Sequence, residues 1–294
     1  MWKNRLRPEI RFTLVTFRVR YKGGNLVPYF TYDHIRFYYE DDGGDGEPFI
    51  FLHGLGGDVN QTFGLMKQTD HIRRISIDFR GHGKTVAFGH ADDFSFKQFA
   101  EDVMALTKYL HISQFSIGGI STGAGVSLHL ALRYPDSVKK LILSRPAWED
   151  KPQEKLVREA FAKIHDVLQD TDTLTAQNRY ENSEIYKTMS SLSSYAGESL
   201  LGQFKYPYVK ETSMKFVKLP MDCPNTDREA WKNLKLPTLI LASQLDPIHP
   251  YAYGLLLSEY IPNAQFIEIT SKTLSNEQHN HDSYKAIDSF LNER

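Results

Sequence analysis

The sequence has one cysteine, Cys223, among 294 residues. A lone thiol excludes any intrachain disulfide, which suits a reducing compartment. No apolar run approaches the ~20 residues that a membrane-spanning helix requires. The basic residues Lys3, Arg5 and Arg7 are followed by Glu9, Arg11, Arg18 and Arg20 rather than by an apolar segment, so no signal peptide is expected. A soluble, cytoplasmic protein without a membrane partner is the expectation. Charge of either sign is not in excess: Lys and Arg number 35, Asp and Glu 36, for a formal net charge of −1. No basic block of the kind that grips nucleic acid is present. Internal repeats and low-complexity tracts are absent too. What is present is apolar mass, 41% hydrophobic and 13% aromatic. That suffices for one large domain, or for one domain with a sizeable insertion.

Residues 1–27 alternate apolar and basic side chains and read as an extra edge strand or as an appendage, their order open. A strand–helix rhythm begins at residue 28. "HIRFYYE" (34–40) reads as a strand and "DDGGDG" (41–46) as a tight turn. "EPFIFLHGLGG" (47–57) and "IRRISIDFRGHG" (72–83) are apolar runs that break into glycine. Phe96, Phe99, Val103, Leu106 and Leu110 recur at steps of three and four, one apolar stripe of a helix. "QFSIGGI" (114–120) reads as a strand, 122–135 as a helix stopped near Pro135, and "VKKLILS" (138–144) as a strand. The rhythm lapses over 147–234, which holds helical stretches such as 152–169. It resumes with "LPTLILASQLD" (236–246), a helix near 249–261, "AQFIEIT" (264–270) and a last helix near 282–292. Such alternation predicts an α/β fold, a mostly parallel central sheet flanked by helices. Its core would be 28–146 with 235–294, interrupted by a helical insertion at 147–234.

One short stretch carries the chemistry. "IGGISTGAG" (117–125) places four glycines around Ser121, between a strand and a helix. Gly119-Ile120-Ser121-Thr122-Gly123 fits G-x-S-x-G, and its flanks are those the motif requires. A serine on so sharp a bend is held in strained backbone, and side chains two positions either side would strike neighbouring backbone. The plainer alternative is a glycine-rich turn that packs a helix close to a sheet.

A serine hydroxyl needs a base, and the base needs an orienting group. In this architecture they follow in the order serine, acid, histidine. Asp246 is the carboxylate at the end of a later strand, although it also suits a helix cap or Asx turn. The strand that ends in Ser144 offers no carboxylate. Past the last strand stand His279 and His281. With Asp282 read as the cap of the last helix, His279 lies in the loop before it, which favours His279 as the base and leaves His281 as the alternative. Backbone amides of Leu55 and Thr122 are the natural oxyanion donors, and His53 shapes the loop rather than doing chemistry.

"FLHGLGG", "DFRGHGKT", "GGISTGAG", "SQLDPIHP" and a late histidine together resemble the α/β-hydrolase family over about residues 29–294. The insertion occupies the position of that family's helical lid. "HGLGGD", "GGIS.GAG" and "LSRPAW" also resemble an unassigned bacterial subgroup, which brings no substrate with it. The resemblance implies a Ser121–His279–Asp246 triad, Leu55 and Thr122 as oxyanion donors, and no cofactor. Where the family has Gly-His, this sequence has Gln278-His279. The expected reaction is cleavage of an ester-like bond (carboxylic ester, thioester or amide) in a small, partly apolar molecule. Trp148, Phe161, Tyr180, Tyr186, Tyr195 and Phe204 of the insertion would either roof its pocket or pack the lid. The alternatives are a lyase, acyltransferase or carbon–carbon hydrolase on the same triad, or a ligand-binding module with a vestigial site.

Other motifs fall away. "RGHGKT" has Asp78 where a phosphate-binding loop needs glycine, and "GLGG" has Val59 where a dinucleotide fingerprint needs its third glycine. In "HNHD" the two histidines lie on opposite sides of any regular structure, so no metal site is expected. "DDGGDG" lacks calcium-loop spacing. The substrate and the oligomeric state are not legible.

Overall fold

A computed structural model describes residues 28–293. The expected edge strand or appendage at 1–27 lies outside the described residues. Eight strands form one sheet: β1 (Tyr29–Tyr32), β2 (Ile35–Asp41), β3 (Glu47–Leu52), β4 (Ile72–Ile77), β5 (Phe115–Ile120), β6 (Val138–Ser144), β7 (Thr238–Ala242) and β8 (Ala264–Glu268). Their order is β1-β2-β4-β3-β5-β6-β7-β8. β1 and β2 pair antiparallel, as do β2 and β4, and every other pairing is parallel. Every residue of β5 and of β7 is buried. Helices cover both faces of parallel strands, which is why these segments read as unbroken apolar runs.

In the sheet domain, α1 (Val59–Leu65), α2 (Phe96–Tyr109), α3 (Thr122–Arg133), α9 (Tyr251–Tyr260) and α10 (Asn276–Asn292) flank the strands. α2 buries Phe96, Phe99, Val103 and Leu106 of the stripe read from the sequence, while Leu110 is its half-buried C-cap, and Ser95 caps the start by accepting from the Gln98 amide at 3.2 Å. Between β6 and β7 run α4 (Lys155–Leu168), α5 (Thr173–Glu181), α6 (Glu184–Leu192), α7 (Ser194–Gly202) and α8 (Lys215–Met221), with no strand among them. α4 turns Val157, Ala160, Phe161, Ile164 and Leu168 inward. These join Tyr180, Leu200, Phe204 and Phe216 in a core separate from that of the sheet, which Ile248 from the loop after β7 also enters. Phe161, Tyr180 and Phe204 are therefore the packing of the insertion itself. Trp148 packs edge-on against Phe96 at 4.9 Å.

One boundary differs from the sequence reading. The last helix begins at Asn276, and Ser275 caps it, accepting from the Gln278 amide at 3.1 Å. Serine followed three residues later by glutamine is a helix-start signature. Asp282 is not a cap: it lies within α10 and accepts from the Thr270 amide at 3.0 Å and the Thr270 hydroxyl at 2.6 Å. No described helix is long and apolar enough to cross a membrane.

Candidate active site

Ser121 stands between β5 and α3 at φ 57°, ψ −112°, a conformation that L-residues rarely adopt. The bend exists because Gly119 and Gly123 carry no Cβ. A Cβ on Gly119 would overlap the Gly123 carbonyl and lie 2.6 Å from the Ala124 nitrogen. A Cβ on Gly123 would overlap the Leu52 carbonyl oxygen and lie 2.7 Å from that of His53. The Ser121 amide donates to the Ser144 carbonyl at 2.9 Å, which pins the bend to the end of β6.

The loop after β3 abuts this bend, and a Cβ on Gly54 would stand 3.4 Å from Ser121 Cβ. His53 fixes that loop. Its Nε2 accepts from the Phe79 amide at 3.1 Å, so Nδ1 carries the proton and donates to the Gly54 carbonyl at 2.8 Å. Burial pushes its pKa down to about 4, in keeping with a neutral, structural imidazole. Leu55 lies in this loop and Thr122 opens α3. Among the described residues, neither backbone amide donates a hydrogen bond within the protein.

The "DFRGHGKT" segment is a structured turn. Asp78 accepts from the amides of Val59 at 2.8 Å and Lys84 at 2.7 Å. Arg80, fully buried, forks onto Asp102 at 2.8 and 2.6 Å.

Asp246 sits in the loop after β7, four residues past the strand. One oxygen accepts from the Ile248 and His249 amides at 3.2 Å each, the Asx turn its sequence allowed. The other accepts from His249 Nδ1 at 2.9 Å and faces Arg145 Nη1 at 3.4 Å. Burial alone would raise the carboxyl pKa, but His249 and Arg145 outweigh it and hold the group ionised, well below the usual range. The expected Asp246–His279 pairing is not made. His279 is not in a loop but in the first turn of α10, buried, and its Nδ1 donates to the Thr270 carbonyl at 2.7 Å. A helix start six residues earlier than expected carries the imidazole away from a free loop. Burial first, then Arg145 and Lys272, push its pKa down to about 3. His281, two positions on, is exposed on the outer face of α10.

His249 follows Asp246 by three residues, ahead of the last strand, where the order serine, acid, late histidine does not look for a base. It is nonetheless the imidazole that Asp246 orients, and with Nδ1 as donor its Nε2 is the proton-accepting nitrogen. Burial lowers its pKa, so it is neutral. Neither His249 nor His279 hydrogen-bonds Ser121 Oγ among the described residues. The three-residue spacing of "DPIH" was the available signal.

Two cations complete the cluster. Arg145 immediately follows Ser144 and turns inward at φ 48°. Lys272, in the loop after β8, donates to the Tyr195 hydroxyl at 2.9 Å. Tyr195, from α7, is the one of the six aromatic residues noted in the insertion whose ring lies against both: Lys272 Nζ is 4.8 Å and Arg145 Cζ 5.9 Å from its centroid. Thr273 bonds Ser193 at 2.7 Å and so ties the insertion to the same loop. No cluster of three or more acid, histidine or cysteine side chains that could hold a metal occurs among the described residues.

Comparison with known proteins defines the class. The family model for the alpha/beta hydrolase fold matches residues 47–272. This chain belongs to that family. The matched span takes in Ser121 and Asp246 and ends before His279. Among curated relatives, a putative non-heme bromoperoxidase, BpoC, of Mycobacterium tuberculosis is 25% identical over 236 residues, 78% of this chain and 87% of that protein. Among solved structures, the enol-lactonase from Burkholderia xenovorans LB400 superposes with a TM-score of 0.72 at 19% identity, covering 90% of this chain and all of that one. An esterase from Exiguobacterium antarcticum gives 0.68 at 20% identity, over 88% and 96% of the two chains.

Proposed function

We propose that this protein is a hydrolase that cleaves an ester-like bond of a small, partly apolar molecule, with Ser121 Oγ as nucleophile. The observation that carries the reading is the backbone of Ser121. Its φ of 57° is adopted at a bend where Gly119 and Gly123 admit no side chain, and the surrounding structure is built to hold it there. The proton acceptor in this reading is His249, because Asp246 holds its Nδ1 and leaves Nε2 as the basic nitrogen. His279, the late histidine, is the alternative base.

Nε2 takes the Ser121 proton while Oγ bonds to the carbonyl carbon. The carbonyl π pair moves to oxygen, which the amides of Leu55 and Thr122 stabilise. Collapse expels the leaving group, which takes the proton back from the imidazolium, and water repeats the sequence to free the acid. No cofactor enters these steps. The insertion, α4–α8, serves as a lid over the crevice.

A fluorophosphonate probe tests the nucleophile. Labelling that disappears in Ser121→Ala, with p-nitrophenyl ester hydrolysis abolished and the melting temperature nearly unchanged, supports the reading. Turnover persisting in the pure variant rejects it. His249→Ala is expected to be silent, His279→Ala to keep partial activity and His281→Ala to be nearly normal. A normal His249→Ala with a silent His279→Ala transfers the base to His279. A second reading, a ligand-binding module on a vestigial site, draws on the lack of a hydrogen bond from either imidazole to Ser121 Oγ. Wild-type protein that takes no label would establish it.

A further inference from the structure

We propose that the substrate carries, besides the bond that is cleaved, a carboxylate that pairs with Arg145 and Lys272. This rests on the reading of Ser121 as the nucleophile and names what else the same crevice binds. The position comes first. The Ser144 carbonyl accepts from the Ser121 amide at 2.9 Å, and Arg145 is the next residue along the chain. Its guanidinium is thus rooted at the C-terminal end of the strand beside the nucleophile, where a parallel sheet places its ligands.

The charges come second. Arg145 is 5% exposed, yet among the described residues its Nε has no hydrogen-bond partner. Among the described residues its one ion pair is to Asp246 at 3.4 Å, beyond the 2.7–2.9 Å of a good charge-assisted bond. The oxygen it faces is already taken by His249 at 2.9 Å. Among the described residues Lys272 has no carboxylate within ion-pair distance, only the neutral Tyr195 hydroxyl at 2.9 Å. Both imidazoles are neutral, so Arg145 and Lys272 share one carboxylate that is committed elsewhere. Arg80, equally buried, shows what a purely structural arginine looks like in this chain. It has a two-pronged bond to Asp102 and Asp93 at 3.3 Å besides. Burying an unpaired charge is costly. A carboxylate presented to the free edge of Arg145 and to Lys272 Nζ supplies the missing partner. Burial, aided by Arg145, lowers the Lys272 pKa to about 7, and a bound anion restores its charge.

Binding and turnover test this separately. Glutarate titrated into Ser121→Ala by calorimetry is expected to bind at least tenfold more tightly than the neutral glutaramide. Arg145→Gln and Lys272→Met, each in the Ser121→Ala background, are each expected to weaken glutarate by about 10–100-fold, as loss of a hydrogen bond to a charged group does. In the otherwise native enzyme, the kcat/KM ratio of mono-p-nitrophenyl glutarate to p-nitrophenyl valerate exceeds ten and falls towards one in both variants. Should Arg145→Gln fail to fold, Lys272→Met and Arg145→Lys carry the comparison. Glutarate binding no tighter than glutaramide overturns the proposal, whatever the enzyme hydrolyses. Tight glutarate binding by a protein that takes no fluorophosphonate leaves the anion site standing and rejects Ser121 as nucleophile.

Discussion

Adding one methyl group at Gly123 should damage both stability and catalysis, and the structure says why. The Cβ of Gly123→Ala would overlap the Leu52 carbonyl oxygen and lie 2.7 Å from the His53 carbonyl oxygen, where ordinary contact begins at 3.4 Å. Neither obstacle can rotate away, because both are backbone. Leu52 ends β3 and pairs with Gly119 of β5, and His53 is clamped to Phe79 and Gly54. Either α3 moves off the sheet or the loop after β3 retreats. Overpacking of this kind costs about 1–3 kcal/mol, and rigid backbone on both sides argues for the upper half. For a chain of this size that is a fall in Tm of roughly 3–5 °C. Retreat of the loop also carries the Leu55 amide away from Ser121. Loss of one oxyanion donor lowers kcat by about 10²–10³-fold. The control is Gly202→Ala at the end of α7, where the backbone is helical and a Cβ meets nothing within 4 Å. It should stabilise by about 0.4–1 kcal/mol. Differential scanning calorimetry and p-nitrophenyl ester kinetics on both variants decide it. A Gly123→Ala protein with native Tm and native kcat refutes the packing account of the bend.

Other perturbations have equally definite outcomes. Asp102→Ala strips the buried Arg80 of its two-pronged partner while Asp93 and the Phe88 carbonyl remain, and urea unfolding should report a loss of about 3 kcal/mol. Lys215, fully enclosed between the Gly81 carbonyl and the Thr212 hydroxyl, has its pKa pushed by burial from 10.5 down to about 7. Its folded pKa lies below its unfolded one, so the unfolded chain binds the extra proton between those values. Stability from this group is full above about pH 10 and is lost as pH falls towards 7. Lys215→Met should therefore flatten the rise of Tm between pH 7 and 10, and an unchanged slope would exclude a buried neutral lysine. Asp282→Ala removes the acceptor of the Thr270 amide and hydroxyl beneath His279, and should cost about 1–3 kcal/mol by chemical denaturation. Full stability would show the contact to be idle.

The sequence by itself determined the strand–helix alternation, the interruption between Ser144 and Thr238, and the bend at Ser121. These are short-range matters. Buried parallel strands must be apolar throughout, an amphipathic helix repeats every three to four residues, and a sharp strand-to-helix turn needs glycine where backbone crowds. The start of α10 was also written locally, in Ser275 and Gln278, but the more conspicuous Asp282 masked it. Only the tertiary structure decided which charges meet. Asp246 turns to His249, three residues on, rather than to His279, because the loop after β7 folds back into an Asx turn while α10 rotates His279 onto the Thr270 carbonyl. Arg145 and Lys272 come from loops 127 positions apart, and Tyr195 from the helical insertion joins them. No local periodicity records such a meeting. Pairing between side chains on separate loops follows from how strands are ordered in the sheet and where their ends converge, and that order exists only once the chain has folded.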